Sequence, residues 1–159
     1  MATLPQLLEE DIRQLDEVLR DLLGRTDALT ALVVDKGGFL IAHQGDDRQF
    51  DLTTIGALAS GAYLANQTIA NLVHEENFDT VYQQGEKASM LATNVDEHCL
   101  LIVIFKAQVG VGVVKYYAGP AREHIAAILK SAQQRDPDGG LDLSVLNVAD
   151  PSEFFKRKS

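Results

Sequence analysis

Tryptophan is absent from this 159-residue chain, cysteine occurs once, and aromatic residues make up 6% of it. A lone thiol, Cys99, excludes an internal disulfide framework. Positive charge is scarce: 14 Lys and Arg face 23 Asp and Glu, giving a net charge of −9 and a pI near 4.8. That balance argues against duplex nucleic acid or an anionic membrane as the main partner, because each phosphate contact needs a Lys or Arg. A protein partner is expected instead. The N-terminus "MATLPQLLEED" has neither a basic n-region nor an apolar h-region, so a secretory signal is not expected and a cytoplasmic location is. What remains, 46% hydrophobic and 23% charged residues, is ordinary for one globular domain of this length.

Periodicity divides the chain into elements. Leu4, Leu8, Ile12, Leu15, Val18, Leu19, Leu22 and Leu23 form a 3.6-residue stripe opposite Glu9, Glu10, Asp11, Arg13, Asp16, Glu17 and Arg20. This predicts an amphipathic surface helix over Leu4 to Leu23, with Gly24 just past its end. "ALTALVVDKGGFLIAH" reads as strands at Leu29 to Val34 and Phe39 to His43, joined by a tight turn at Gly37-Gly38. A polar loop follows, and Asp51 or Thr53 is placed to cap the next helix. Further strands are predicted at Thr80 to Gln83, Ser89 to Val95 and Cys99 to Phe105, the last two separated by a turn over Asn94 to Glu97. "CLLIVIF" is apolar at every position, so that strand is expected in the middle of the sheet with helices on both faces. The final helical pattern is clear from Pro120 onward. Periodicity leaves open whether Gly119-Pro120 starts it or interrupts a helix that began near Val111. Beyond Gln133 come a linker-like "RDPDGG" and sparse apolar residues among acids, so residues 1–133 are read as the domain and 134–159 as a tail. Short connections between successive strands make the sheet mainly antiparallel, giving an α+β fold.

The stretch "DLTTIGALASGAYLANQTIANLV" carries no charge after Asp51. Thr53, Thr54, Ser60, Asn66, Gln67, Thr68 and Asn71 oppose a membrane span. Ile55, Leu58, Ala62, Ala65, Ile69 and Leu72 follow helical spacing and are expected to face the sheet. An ordinary half-buried helix carries charge on its other faces, as the first helix does. Here one flank holds Ala57, Gly61, Leu64, Thr68 and Asn71, and the other Ala59, Tyr63, Asn66, Ala70 and Val73. Small uncharged side chains admit a second backbone and mark the centre of an interface, so two flanks suggest two contacts.

The order of elements, the "VVDKGGFLIA" hairpin, the uncharged helix, "ENF" at Glu76 to Phe78, "QGEKASMLAT" at Gln84 to Thr93 and "LLIVIF" at Leu100 to Phe105 resemble the roadblock family of dynein light-chain-type domains. Within it the chain is similar to the members that partner a bacterial Ras-like GTPase, over about Leu4 to Ala132. The resemblance implies an α/β/α sandwich: a five-stranded antiparallel sheet with the long middle helix on one face and the terminal helices on the other. It implies a homodimer formed through the middle helix and the third strand. The residues assigned to that interface are Ala59, Tyr63, Asn66, Ala70, Thr80, Val81, Tyr82 and Gln83, and self-pairing would also cover an edge strand. It further implies that the dimer binds one GTPase in its GTP state through positions matching Leu64 and Thr68, a contact extended here along the same flank to Gly61 and Asn71. Acceleration of GTP hydrolysis, in cell polarity or motility, is the activity implied. A dimeric scaffold or adaptor with no effect on hydrolysis is the alternative.

GTPase activators often supply an arginine finger, and the candidates are Arg25, Arg48, Arg122 and Arg157. No motif fixes the geometry of any of them, and the resembled activators work by holding the GTPase's own switch residues, so these arginines are read as surface groups. The chain's own chemistry is sparse. "QGEKAS" and "VGVGVV" lack phosphate-loop and dinucleotide spacing, so no nucleotide or other cofactor is expected. His74-Glu75 opens like a zinc-protease motif, but Phe78 stands where the second His is needed, and no metal site is expected. His98 and Cys99 are adjacent in a strand and point to opposite faces, which excludes a dyad. His43 and His124 have no evident ligand partners. Cys99 is expected in the core, and the chain is read as a regulator without a catalytic site of its own. In the tail, Phe154 and Phe155 beside "KRKS" are an auxiliary partner contact, matching the family's C-terminal segment only loosely.

Overall fold

The computed structural model describes residues 4–135. In chain order they form α1 (Glu9–Thr26), β1 (Thr30–Asp35), β2 (Leu40–Gly45), α2 (Leu52–Leu72), β3 (Thr80–Gln83), β4 (Ala88–Asn94), β5 (Cys99–Lys106) and α3 (Val111–Arg135). The five strands make one antiparallel sheet in the order β2-β1-β5-β4-β3. The all-apolar strand is β5, central as expected and buried from Cys99 to Phe105.

Strand alternation sends successive side chains to opposite faces, and two cores result. Ala31, Val33, Leu101, Val103 and Phe105 meet α1 and α3, through Leu15, Leu19, Ile125 and Leu129 among others. Leu32, Val34, Leu100, Ile102 and Ile104 lie on the other face, under Leu52, Ala59 and Tyr63 of α2. The layering is therefore helices, sheet, helix. Cys99 lies in the first core with no exposed surface, and burial pushes its thiol pKa well up, which makes it a poor nucleophile.

Three sequence expectations need correction. The first helix begins at Glu9 rather than Leu4, because the leading segment packs instead of coiling: Pro5 is buried, and Leu4 and Leu7 sit against the first core. The helix start is fixed by Asp11, whose Oδ2 accepts the Leu8 N–H at 2.8 Å and an Arg135 N–H from α3 at 2.6 Å. At its other end α1 runs through Gly24 and stops at Asp27, which takes the left-handed conformation at φ 55° and donates its N–H to the Leu23 carbonyl at 2.9 Å. In α3 the open question resolves in favour of one helix from Val111, with Pro120 inside it. Pro120 leaves the Tyr116 carbonyl without its helical donor, and both residues are exposed, so water meets that carbonyl. Val114 and Ala118 before the proline, and Ala121 and Ile125 after it, are all buried, so packing holds both halves in line.

The third correction concerns α2. Of the residues expected to face the sheet, Leu58 is 70% exposed, Ile69 48% and Leu72 76%. The buried positions are Leu52, Gly56, Ala59, Ser60, Tyr63 and Ala70. Ala59 and Tyr63, assigned above to a dimer interface, therefore pack on this chain's own sheet, and Ala70, assigned with them, is fully buried within the chain, so these three are closed to a partner. The reason is size. Gly56 lies so close to β1 that a Cβ there would stand 2.9 Å from Val34 Cγ1. Small residues let α2 settle onto the strands, and Leu58, Ile69 and Leu72 are turned outward.

Candidate functional site

The outward face of α2 is the site. Asp51 starts the helix, its carboxylate accepting the Thr54 N–H at 3.1 Å, and between Leu52 and Leu72 there is no charged residue. Polar bonds along its inner side pin the helix in one rotation about its axis. The Ser60 hydroxyl donates to the Lys36 carbonyl, and the Gln67 amide donates to the Phe78 carbonyl at 3.4 Å. The Tyr63 oxygen lies 3.2 Å from Asn77 Oδ1 and 3.3 Å from Asn94 Oδ1. It has one proton for the two, so one asparagine must turn its NH2 toward it. Lys36 crosses above the Tyr63 ring, with Nζ 5.4 Å from the centroid and donating to the Asp96 carbonyl at 2.7 Å; burial lowers its pKa.

With the rotation fixed, the two flanks can be told apart. Ala57 touches Gly38 in the β1–β2 turn, so Ala57, Gly61, Leu64, Thr68 and Asn71 run along the side nearest β2. Gly61, Leu64, Thr68 and Asn71 are all exposed, Leu64 to 53%, and the structure places these four together on one surface. Ile55 lies on the opposite side, in an apolar recess of about 360 Å³ with Phe50, Met90, Ile104 and the β3–β4 turn. Ala62, the half-buried Asn66, Ile69 and Val73 continue that side by helical spacing. Leu58 and Leu72 form the crest between the flanks. Sequence periodicity missed this crest because it credited the same residues to the core.

β3 is an edge strand, paired with β4 on one side only. Thr80 and Val81 are half-buried, and Tyr82 and Gln83 are exposed. A clamp holds the base of the strand to α3: Arg122 donates to Asp79 at 2.5 Å, and to Thr93 Oγ1 and the Asn94 carbonyl at 3.2 Å each.

That clamp gives Arg122 a structural partner set. Arg25 pairs with Asp21 at 2.9 Å and lies 5.9 Å from the Tyr117 ring centroid, on the sheet face opposite α2. Arg48 is exposed in the β2–α2 loop. Arg157, Phe154 and Phe155 lie outside the described residues. Among the described residues no three His, Cys, Asp or Glu side chains gather as metal ligands, and no helix is long and apolar enough to cross a membrane.

The Roadblock/LC7 domain family model matches residues 14–105. Among solved structures, an MglB with a tetrameric arrangement is 29% identical, with a TM-score of 0.77 over 83% of this chain and 99% of that one. The gliding protein MglB from Thermus thermophilus is 29% identical, with a TM-score of 0.76 over 82% and 99%. Myxococcus xanthus MglB is 28% identical, with a TM-score of 0.75 over 80% and 96%. A Roadblock/LC7 domain from Streptomyces avermitilis, 17% identical, shares the fold at a TM-score of 0.58, covering 76% of this chain and 95% of that one. No curated protein matches the chain.

Proposed function

The chain belongs to the Roadblock/LC7 domain family, and on that premise we propose that it is a homodimeric regulator of a small Ras-like GTPase of the MglA kind. It binds the GTP state and speeds hydrolysis by holding the GTPase's own switch residues in place, in cell polarity or motility. The carrying observation is the uncharged α2 helix, which turns Leu58, Leu64, Ile69 and Leu72 away from its own sheet. A surface of this kind is depleted in charge and rich in apolar area, the composition of an interface core.

The two flanks divide the work. Ile55, Ala62, Asn66, Ile69 and Val73, with Thr80 to Gln83 of the β3 edge, meet the second copy, whose α2 fills the recess beside Ile55 and whose β3 extends the sheet. Gly61, Leu64, Thr68 and Asn71 meet the GTPase. The tail, with Phe154 and Phe155, is an auxiliary contact. The activator supplies position rather than a catalytic group, which fits the tied side chains of Arg25 and Arg122.

The test is single-turnover GTP hydrolysis by the cognate GTPase, with and without this protein, beside a binding assay in a GTP analogue. Acceleration that persists when Arg25, Arg48, Arg122 and Arg157 are each replaced supports a finger-free activator. Tight binding without acceleration makes the protein a scaffold and overturns the mechanism. Leu64→Arg or Thr68→Arg is expected to abolish GTPase binding and leave the dimer intact. A monomeric or unfolded product would reassign that flank.

A further inference from the structure

Phe39 is the last residue of the β1–β2 turn, opposite Asp35. It is 74% exposed and belongs to neither core. A lone exposed phenylalanine is ordinary on a mobile loop, but this turn is hydrogen-bonded through Asp35, Lys36, Gly38 and Phe39. Within it, Asp35 donates its N–H to the Phe39 carbonyl at 2.9 Å and accepts the Phe39 N–H on Oδ1 at 3.1 Å, and its own carbonyl accepts the Gly38 N–H at 2.9 Å. Lys36 ties the turn to the β4–β5 connection twice, donating its N–H to the His98 carbonyl and its Nζ to the Asp96 carbonyl, each at 2.7 Å. The Lys36 carbonyl accepts the Ser60 hydroxyl from α2. Gly38 then brings the backbone onto the helix: its φ of +100° is open to glycine, and a Cβ there would stand 3.2 Å from Ala57 Cα.

A large apolar side chain is thus held in water by a rigid turn, directly beside the flank that begins at Ala57 and continues to Gly61 and Leu64. We propose that Phe39 is an anchor of the GTPase-binding surface: the turn sets it beside the helix flank, where it enters an apolar pocket of the GTP-state GTPase. This inference rests on the GTPase reading above. Its physical basis is preorganisation. The backbone that carries the ring is already fixed and the ring turns about only two bonds, so ordering it on binding costs little, and an aromatic residue buried at an interface is the type that dominates affinity. The flank itself offers mostly small or polar groups, with Leu64 as its one large apolar residue, so a neighbouring anchor supplies contact area that the helix lacks.

The experiment is calorimetric titration of the full-length protein with a small Ras-like GTPase from the same organism, loaded with a non-hydrolysable GTP analogue. Phe39→Ala, Phe39→Leu and Leu64→Arg are compared with the unaltered chain, and sedimentation and thermal melts follow fold and dimer. Phe39→Ala is expected to weaken binding about tenfold to a hundredfold, from the apolar area it removes, with unchanged melting and oligomeric state. Phe39→Leu is expected to recover most of the loss. If Phe39→Ala binds within about twofold of the unaltered chain while Leu64→Arg abolishes binding, the anchor is wrong and the GTPase reading stands. Loss of melting temperature or of the dimer in Phe39→Ala would also overturn the anchor, by giving the side chain a structural role. Failure of the unaltered chain to bind the loaded GTPase removes the reading, and the anchor with it.

Discussion

The helices α1 and α2 cover opposite faces of one sheet under different rules. α1 presents Leu15, Val18, Leu19 and Leu22 to the core and, Asp11 apart, keeps charge outside, where Arg13 pairs with Glu10 and Arg25 with Asp21. Polarity alone orients it. α2 has no charge to orient it, and the residues that face the sheet include glycine, alanine and serine, while Leu58, Leu64, Ile69 and Leu72 face out. In α2 the inner side is chosen by how closely the backbone approaches the strands. The difference identifies α1 as a helix with one apolar surface to bury and α2 as a helix with two.

That contrast is sharpest in the response to losing an outward or an inward leucine. Leu19→Ala opens a cavity in the first core and is expected to cost about 2–5 kcal/mol in urea unfolding, the same at every protein concentration. Leu72→Ser or Leu58→Ser is expected to cost under about 0.5 kcal/mol in dilute protein, but to weaken the concentration dependence that a homodimer gives to the transition. If Leu58→Ser destabilised the chain as Leu19→Ala does, the outward crest would not be outward. Next in size is Gly56→Val, which drives a branched side chain toward Val34 and is expected to cost about 1–3 kcal/mol by overpacking. A neutral result would show that α2 lies less tightly on β1 than described. A further effect, of about the lower end of that range, concerns the one buried acid of α1. Arg135 and the Leu8 N–H hold the Asp11 carboxyl below its ordinary pKa, with burial opposing them. A folded-state pKa below the unfolded one contributes stability that is complete above the ordinary carboxylate range and is lost as pH falls below it and through the depressed folded-state pKa. Asp11→Asn is therefore expected to lose about 1 kcal/mol at neutral pH and to show a flatter acid limb in thermal melts at a series of pH values.

Much of the fold is legible in the sequence where a single physical signal governs. The apolar runs of β1 and β5 locate the sheet, and the third strand has the predicted bounds, Thr80–Gln83. The amphipathic stripe finds α1, but Leu4 and Leu8 extend it falsely, because a packed non-helical segment also carries leucines. Pro120 obscures the start of α3, since the helix is held there by tertiary burial on both sides rather than by local preference. The candidate site was half legible. The flank of Gly61, Leu64, Thr68 and Asn71 is exposed in the structure as the sequence suggests, whereas Ala59, Tyr63 and Ala70 traded places with Leu58, Ile69 and Leu72. Hydrophobic periodicity ranks residues by polarity and is blind to which of two apolar surfaces lies nearer a strand.

The strand order has a consequence for how the chain is made. β5 is the last strand in sequence and the middle strand in space, with Thr30 opposite Ile104 on one side and Ser89 opposite Phe105 on the other. During synthesis neither core is complete until Phe105 has emerged, although the whole of α2 has emerged well before. The nascent chain therefore carries its most apolar helix through the period in which it has no complete sheet to lie on, and closing the sheet depends on β5 pairing with β1 across about seventy residues, a contact of the long-range kind that slows folding.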